Sequence, residues 1–241
     1  MLESNNDAKQ EVIDKLLGNL PKDSSIMVQL PSECRVYKYL EDETLIKVNP
    51  ITFEDEKIIS KSDKKDRTDV MIDRCVPEID VGTLLMMDYI FLLLKIREIS
   101  YGDDYTPTVI CPKCSSEVAT RIQLSELNIN PVPDNFSEPV VFELPDAKIQ
   151  VEAKYPKVKD RNYSKELLDN LWRFVTKVGE YTDKSIINGV VKGLPIKDLK
   201  TMEKMLTPIF GVDAQTKFEC PECKHKTIIG LPIDTDFFGV S

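Results

Sequence analysis

The stretches Cys111-Pro112-Lys113-Cys114 and Cys220-Pro221-Glu222-Cys223 decide how this chain is read. A Cys-x-x-Cys turn presents two thiolates on one side of a tight loop, and a second such turn completes the tetrahedron that zinc prefers. Four sulfurs close the coordination sphere, so an ion held this way cannot activate water or polarise a substrate. The constellation predicts one structural zinc ion and no catalytic centre. Redox or disulfide chemistry at the two turns and iron on the same four thiolates are the competing readings. The one histidine, His225, reads as a solvated neighbour. With Lys113, Lys224 and Lys226 it offsets the excess negative charge of four thiolates around one ion.

Each pair is followed by a β-rich run. Val118, Thr120, Ile122 and Leu124 alternate with polar or small residues, and Thr227 to Ile233 has the same character. That is the layout of a zinc ribbon. Between Cys114 and Cys220 lie 105 residues, against about 15–20 in a compact four-cysteine module. The ribbon is therefore expected to be split, with zinc clipping the later segment to the middle of the chain.

Moving outward from the cysteines exposes an internal repeat. Tyr101-Gly102, Asp104, Cys111-Pro112 and Cys114 recur as Phe210-Gly211, Asp213, Cys220-Pro221 and Cys223, at a constant offset of 109 residues. A Leu-Pro pair precedes each set, Leu30-Pro31 lying 81 residues before the first cysteine turn and Leu144-Pro145 76 before the second. Two related halves are inferred, each made of hairpin, helices, glycine helix stop and metal knuckle.

Within this frame, Ile26 to Leu30 and Thr44 to Val48 are predicted to pair as a hairpin. Val140 to Leu144 and Lys148 to Ala153 form a second one around Pro145-Asp146. Residues 1–24 are predicted to form a helix or arm with Val12, Ile13, Leu16, Leu17 and Leu20 on one face. Ser60 to Asp69 reads as a solvated loop or helix end. A helix from Gly82 to Ile99 is apolar nearly all round and must be covered on most sides. Ser164 is expected to cap a helix burying Leu167, Leu168, Leu171, Trp172, Val175 and Val178. A further short helix runs from Pro195 to Leu206.

Composition excludes several classes. The chain has 241 residues with 41 acidic and 32 basic side chains, net charge -9, which repels phosphate backbones over most of its surface. The apolar stretch Val81 to Leu94 is interrupted by Asp88 and is shorter than the ~20 residues that span a bilayer. Met1 to Asp14 has no basic n-region followed by an apolar run, so a soluble protein folding in a cytoplasm is expected. There Cys34 and Cys75 read as buried free thiols. No GxxxxGKS or GxGxxG loop is present, and one histidine beside four cysteines supplies no nucleophile and base arrangement. The acidic runs Asp103-Asp104 and Glu54-Asp55-Glu56 read as solvated faces.

Several segments, in order, resemble the baseplate hub and hub-assembly proteins of T-even-like contractile-tailed phages. The resemblance rests on Leu30-Pro31-Ser32 with Tyr37, on Ile46 to Ile59 with Pro50-Ile51-Thr52 and Asp55-Glu56, and on Asp88 through Leu127 with Arg97, Tyr101-Gly102 and Tyr105. It also includes Phe142-Glu143-Leu144-Pro145. Glu33-Cys34 stands where the family often has a glycine. The resemblance implies a non-enzymatic structural or assembly protein of the baseplate hub that binds other hub or tail proteins, with no nucleic acid, membrane or small-molecule substrate. It places the chain in the host cytoplasm during assembly and in the virion tail baseplate.

The expected fold is α+β, two related hairpin-plus-helix halves joined by a split four-cysteine zinc ribbon. The expected divisions are 1–24 (N-terminal arm), 25–135 (first half, first knuckle) and 136–241 (second half, second knuckle). Phe237-Phe238 and the faces flanking Tyr101 and Tyr105 are candidate interface anchors, with packing of the phenylalanine pair onto the core as the plainer reading. The competing function class is a zinc-ribbon nucleic-acid binder using Lys217, Lys224, His225, Lys226 and Arg121. Its basic patch is broken by Glu117, Glu219 and Glu222.

Overall fold

A computed structural model describes Val12, Lys15 and residues 24–164, 166–231 and 235–238. The arm expected over 1–24 lies outside the described residues apart from Val12, Lys15 and Ser24. Strands and helices are mixed throughout, as α+β requires. β1 (Ile26–Gln29) and β2 (Leu45–Val48) form the expected first hairpin, with Ile26 opposite Val48 and Gln29 opposite Leu45.

Next come α1 (Phe53–Lys61) and α2 (Arg67–Cys75), so the polar stretch 60–69 is a helix end, a loop and a helix start. The Glu54-Asp55-Glu56 run is no bare solvated face. Thr52 caps α1 through a reciprocal pair, Asp55 N–H to Thr52 Oγ1 at 3.2 Å and Thr52 N–H to Asp55 Oδ2 at 3.1 Å. All three acids sit in the first turn, where the helix dipole favours negative charge.

α3 (Met86–Tyr101) is the apolar helix expected from Gly82 to Ile99, preceded by a 3-10 turn at Val81–Thr83. It buries Tyr89, Phe91, Leu92, Leu93, Leu94 and Ile96 and stops at Gly102 (φ 93°), whose N–H donates to Glu98 O at 3.0 Å. Two short hairpins follow, one inside the other. β3 (Asp104–Tyr105) pairs with β6 (Ile122–Gln123), and between them β4 (Thr108–Ile110) pairs with β5 (Glu117–Ala119).

After β7 (Ile129–Asn130), β8 (Val140–Glu143) and β9 (Gln150–Ala153) form the second expected hairpin. α4 (Arg161–Ser164) and α5 (Leu167–Phe174) come next. Here the sequence reading is corrected twice. Ser164 lies in α4, and the residue at the N-cap of α5 is Glu166, which makes no side-chain cap. Val175 and Val178 do not continue the helix; they begin and end β10 (Val175–Val178), which pairs with β9 to make a three-stranded antiparallel sheet.

α6 (Lys184–Gly193), capped by Asp183, had no counterpart in the sequence reading, whereas α7 (Ile196–Leu206) is the expected helix after Pro195. β11 (Gly211–Val212) returns to pair with β7, and β12 (Gln215–Glu219) pairs with β13 (Lys226–Gly230).

A continuous apolar core runs from Val28 to Phe238 and draws on residues both before and after position 135. Phe136 stacks on Tyr155 (centroids 4.7 Å) and meets Phe210 edge-on (4.9 Å). A second, small cluster of Cys111, Phe218 and Cys220, flanked by Val109, Val118 and Ile229, stands apart from it. Among the described residues no helix is long and apolar enough to cross a membrane.

Candidate metal centre

Both cysteine turns sit at the tips of two-stranded antiparallel hairpins, β4–β5 and β12–β13. Their backbone wiring is the same at equivalent positions. In the first, Cys111 N–H donates to Ser116 O and Ser115 N–H to Cys111 O, both at 2.9 Å; in the second, Cys220 N–H donates to His225 O and Lys224 N–H to Cys220 O, again both at 2.9 Å. Ser115 (φ 59°) and Lys224 (φ 56°), 109 positions apart, both take the left-handed conformation that closes each tip.

The tips face each other. Cys111 Sγ lies 3.7 Å from Cys223 Sγ, Cys114 Sγ lies 3.7 Å from Cys220 Sγ, and all four sulfurs fall within 4.8 Å of one another. A tetrahedron with metal–sulfur bonds of about 2.3 Å has edges of about 3.8 Å, so both cross-hairpin contacts match it. They are far longer than the ~2.05 Å of a disulfide, and all four cysteines are free. The donor set therefore fits a tetrahedral, thiolate-binding ion, and these four residues are positioned to hold it.

Sequence reasoning missed Ser116, whose hydroxyl lies 3.0 Å from Cys114 Sγ and 3.4 Å from Cys220 Sγ and so ties one hairpin to the other. Its contact lowers the Cys114 thiol below its ordinary range and, with the Cys223 N–H, draws Cys220 down to about 6. Although the His225 N–H pulls it the other way, Cys223 is pushed up to about 12 by burial and by three neighbouring sulfurs. Four sulfur anions this close repel one another, and a cation among them removes that obstacle. Lys226 is engaged with Glu219 across β12–β13 at 3.2 Å. Lys113 and Lys224 remain exposed beside the tips, and His225 is half-buried.

A model of the family described as T4 bacteriophage base plate protein matches residues 27–239, which include both hairpins and all four cysteines. The chain belongs to this family. No curated protein and no solved structure matches it.

Elsewhere in this base plate protein, the remaining sequence candidates fall into structural roles. Asp103 accepts from the Ser125 N–H and hydroxyl at 2.7 and 2.8 Å. Asp104 holds Arg121 in a two-pronged ion pair at 2.8 and 2.6 Å. Both carboxylates are engaged by these contacts, and Arg121 is paired with Asp104. Phe237 and Phe238 are buried, Phe237 meeting Tyr105 edge-on at 4.7 Å, so the plainer reading of that pair holds; Tyr101 is exposed. Arg97 secures this packing by donating to the carbonyls of Phe237, Gly102 and Asp104 at 3.0, 3.0 and 3.3 Å. Cys34 and Cys75 are buried, their thiols raised by burial to about 11 and about 12. Gly211 does not stop a helix, since α7 ends at Leu206; it lies in β11 at φ 85° where a Cβ would come within 3.1 Å of Met87.

The largest feature that sequence reasoning passed over is a pair of buried acids. Asp88, third residue of α3, accepts the Ser32 N–H at 2.9 Å just after Leu30-Pro31. Asp198, third residue of α7, accepts the Asp146 and Ala147 N–H groups at 2.9 and 3.0 Å just after Leu144-Pro145. Both have no exposed surface. In each case a helix pins the turn that follows the first strand of an earlier hairpin, and the two acids stand 110 positions apart. Tyr37 completes the first clamp, its hydroxyl donating to Asp88 and accepting from the Leu85 N–H at 2.9 Å.

Proposed function

We propose that the chain is a structural or assembly protein of the baseplate hub of a contractile-tailed phage, acting by protein–protein binding without a catalytic step. Cys111, Cys114, Cys220 and Cys223 hold one structural zinc ion. The observation that carries this reading is the convergence of four thiols, two from each of two like hairpins, in a chain whose family match covers both. With four protein ligands the zinc has no open position, so its contribution is placement: it joins the hairpin tips of two related halves, 25–135 and 136–241, as a split ribbon and preforms a surface for other hub or tail proteins. The matching hairpin wiring and the two buried-acid clamps support that division. Thiolate ligands and closed tetrahedral spacing favour zinc over the redox reading. Binding of nucleic acid is disfavoured by the net charge and by the neutralisation of Arg121 and Lys226. The protein works in the host cytoplasm during assembly and, as a hub component, stays in the tail baseplate; as an assembly factor it leaves before the particle is finished.

Quantitative mass spectrometry of purified particles beside hub intermediates from infected cells tests the role. A fixed copy number in particles is expected for a hub component, and presence in intermediates alone for an assembly factor; absence from both overturns the proposal. Cys220→Ser tests the metal. Zinc content by elemental mass spectrometry and the melting temperature should fall together, and full zinc loading with an unchanged melt would remove zinc from the reading.

A further inference from the structure

A cleft of about 640 Å³, lined by none of the four cysteines, opens between the connection joining β1 to β2 and the β9–β10 side of the three-stranded sheet. That volume lies in the range of ~300–1,000 Å³ typical of ligand pockets. Its charge runs against the rest of the molecule. Lys38, Lys154, Lys157, Lys159, Arg173 and Lys184 line it, against the two acids Glu138 and Asp160, in a chain whose net charge is -9.

Of those six cations only Lys157 has a carboxylate partner among the described residues, Glu138 at 3.2 Å, and its buried ammonium makes no well-directed hydrogen bond. Lys184 is pinned at the wall by donating to the Arg173 and Val175 carbonyls at 3.1 and 2.6 Å, and burial and the nearby Lys154 charge hold its ammonium below the ordinary range. Arg173 lies over the Tyr163 ring at 4.3 Å, which fixes one rim, and the half-exposed Tyr39 lines the other. Like charges drawn together without counter-charges cost folding energy and are relieved by an anionic ligand.

We propose that this cleft receives a carboxylate-rich, extended segment of another baseplate protein. The inference rests on the protein-binding role given above and names where one contact is made. Phosphate is the weaker occupant, because two of the first three amides of α6, those of Ser185 and Ile186, are already taken by the Asp183 carboxylate at 2.9 and 3.0 Å. A nucleic acid strand leaving the cleft would run onto a surface of the opposite preference. Flat tyrosine faces beside lysines suit a peptide whose acidic side chains alternate with apolar contacts.

The test is fluorescence anisotropy of a fluorescein-labelled octaglutamate peptide with the full-length, zinc-loaded chain, with inorganic phosphate and single-stranded DNA as competitors. Lys38→Glu with Lys154→Glu should weaken peptide binding at least ~10-fold. Lys64→Glu with Lys65→Glu, the same charge change on the loop between α1 and α2, should change it less than ~2-fold. Matching melting curves check the fold, and Lys38→Ala with Lys154→Ala serves in the same comparison if the reversal does not fold. No peptide binding, equal loss in both double variants, or stronger displacement by phosphate or DNA than by unlabelled octaglutamate overturns the proposal. Absence of the chain from particles and intermediates strikes instead at the hub role.

Discussion

Replacing Asp198 with alanine isolates the second clamp. The carboxylate is fully buried and accepts two backbone N–H groups, from Asp146 and Ala147, at 2.9 and 3.0 Å. A hydrogen bond to a charged group contributes about 1.5–3 kcal/mol, so the pair sets an upper bound of about 6 kcal/mol. Asp146 is exposed and Ala147 half-buried, so water reaches part of the vacated turn, and the expected loss is about 2–4 kcal/mol. For a chain of this size that corresponds to a melting temperature lower by roughly 5–15 °C. Asp198→Asn should fall between, since an amide offers one acceptor oxygen and turns its NH₂ toward the second N–H. Lys197→Ala, which removes the exposed partner of Asp146 at 2.6 Å, should cost less than ~0.5 kcal/mol. Urea and thermal melts measure the series, and amide exchange at Asp146 and Ala147 locates the effect. A loss below ~0.5 kcal/mol for alanine, or asparagine as stable as aspartate, would refute the clamp.

Two further outcomes follow from buried groups. Burial raises the Asp88 carboxyl above the ordinary aspartate range, against the pull of the Ser32 and Tyr37 hydrogen bonds and the Lys157 charge. Such an acid favours the fold most below the unfolded aspartate value of about 3.9 and loses that contribution as pH rises from there through its raised folded value. The stability gap between the natural chain and Asp88→Asn, from urea midpoints across pH, should narrow as pH rises through that window; a pH-independent gap contradicts the assignment. Gly211→Ala should cost more than Gly102→Ala: both glycines have positive φ, but a Cβ at 211 meets Met87 at 3.1 Å while one at 102 meets nothing within 4 Å. Equal losses in thermal melts would show that the close approach to Met87 is without consequence.

How far the sequence carried the fold depended on whether each signal was local. The cysteine turns were legible because two thiols at fixed spacing already specify a knuckle; that Ser115 and Lys224, at the same 109-residue offset, close the two tips alike emerged only from the backbone. α3 was legible because a run that is apolar on nearly every face has one destination. β10 was not: a register shift between Val175 and Lys177 puts two valines three apart on the buried side, which copies helical spacing. α6 was passed over because Gly189, Gly193 and paired β-branched residues depress helix propensity, although Asp183 caps it through two N–H groups. The Thr52–Asp55 capping box was hidden inside a charged stretch. Asp88 was read past because an acid in an apolar helix looks like an interruption, and Asp198 because it is one of several charges on a mixed helix; the backbone partners of both lie more than 50 residues away. The basic cleft was invisible for the same reason, its lysines being scattered from 38 to 184.

The two apolar clusters give metal loss a specific form. The main core includes neither the cysteine tips nor Phe218, so its packing does not depend on an ion, while the small cluster of Cys111, Phe218 and Cys220 is formed across the two hairpins. In an unfolded chain each cysteine turn can still bind metal locally, but bringing the turns together closes a loop of 105 residues. A cross-link over ~100 residues contributes up to about 4.7 kcal/mol in the chain-entropy account. In the folded chain β7–β11 pairing and the Phe136–Phe210 contact already hold those segments near each other, so the global effect should be smaller and the local one dominant. Stripping metal with a chelator under reducing conditions should therefore release amide protection in β4, β5, β12 and β13 first, with Phe218 becoming exposed, while α3 keeps its protection. Simultaneous loss in α3 would mean that the ion supports the whole fold, and unchanged protection in all four strands would mean that the hairpins dock without it.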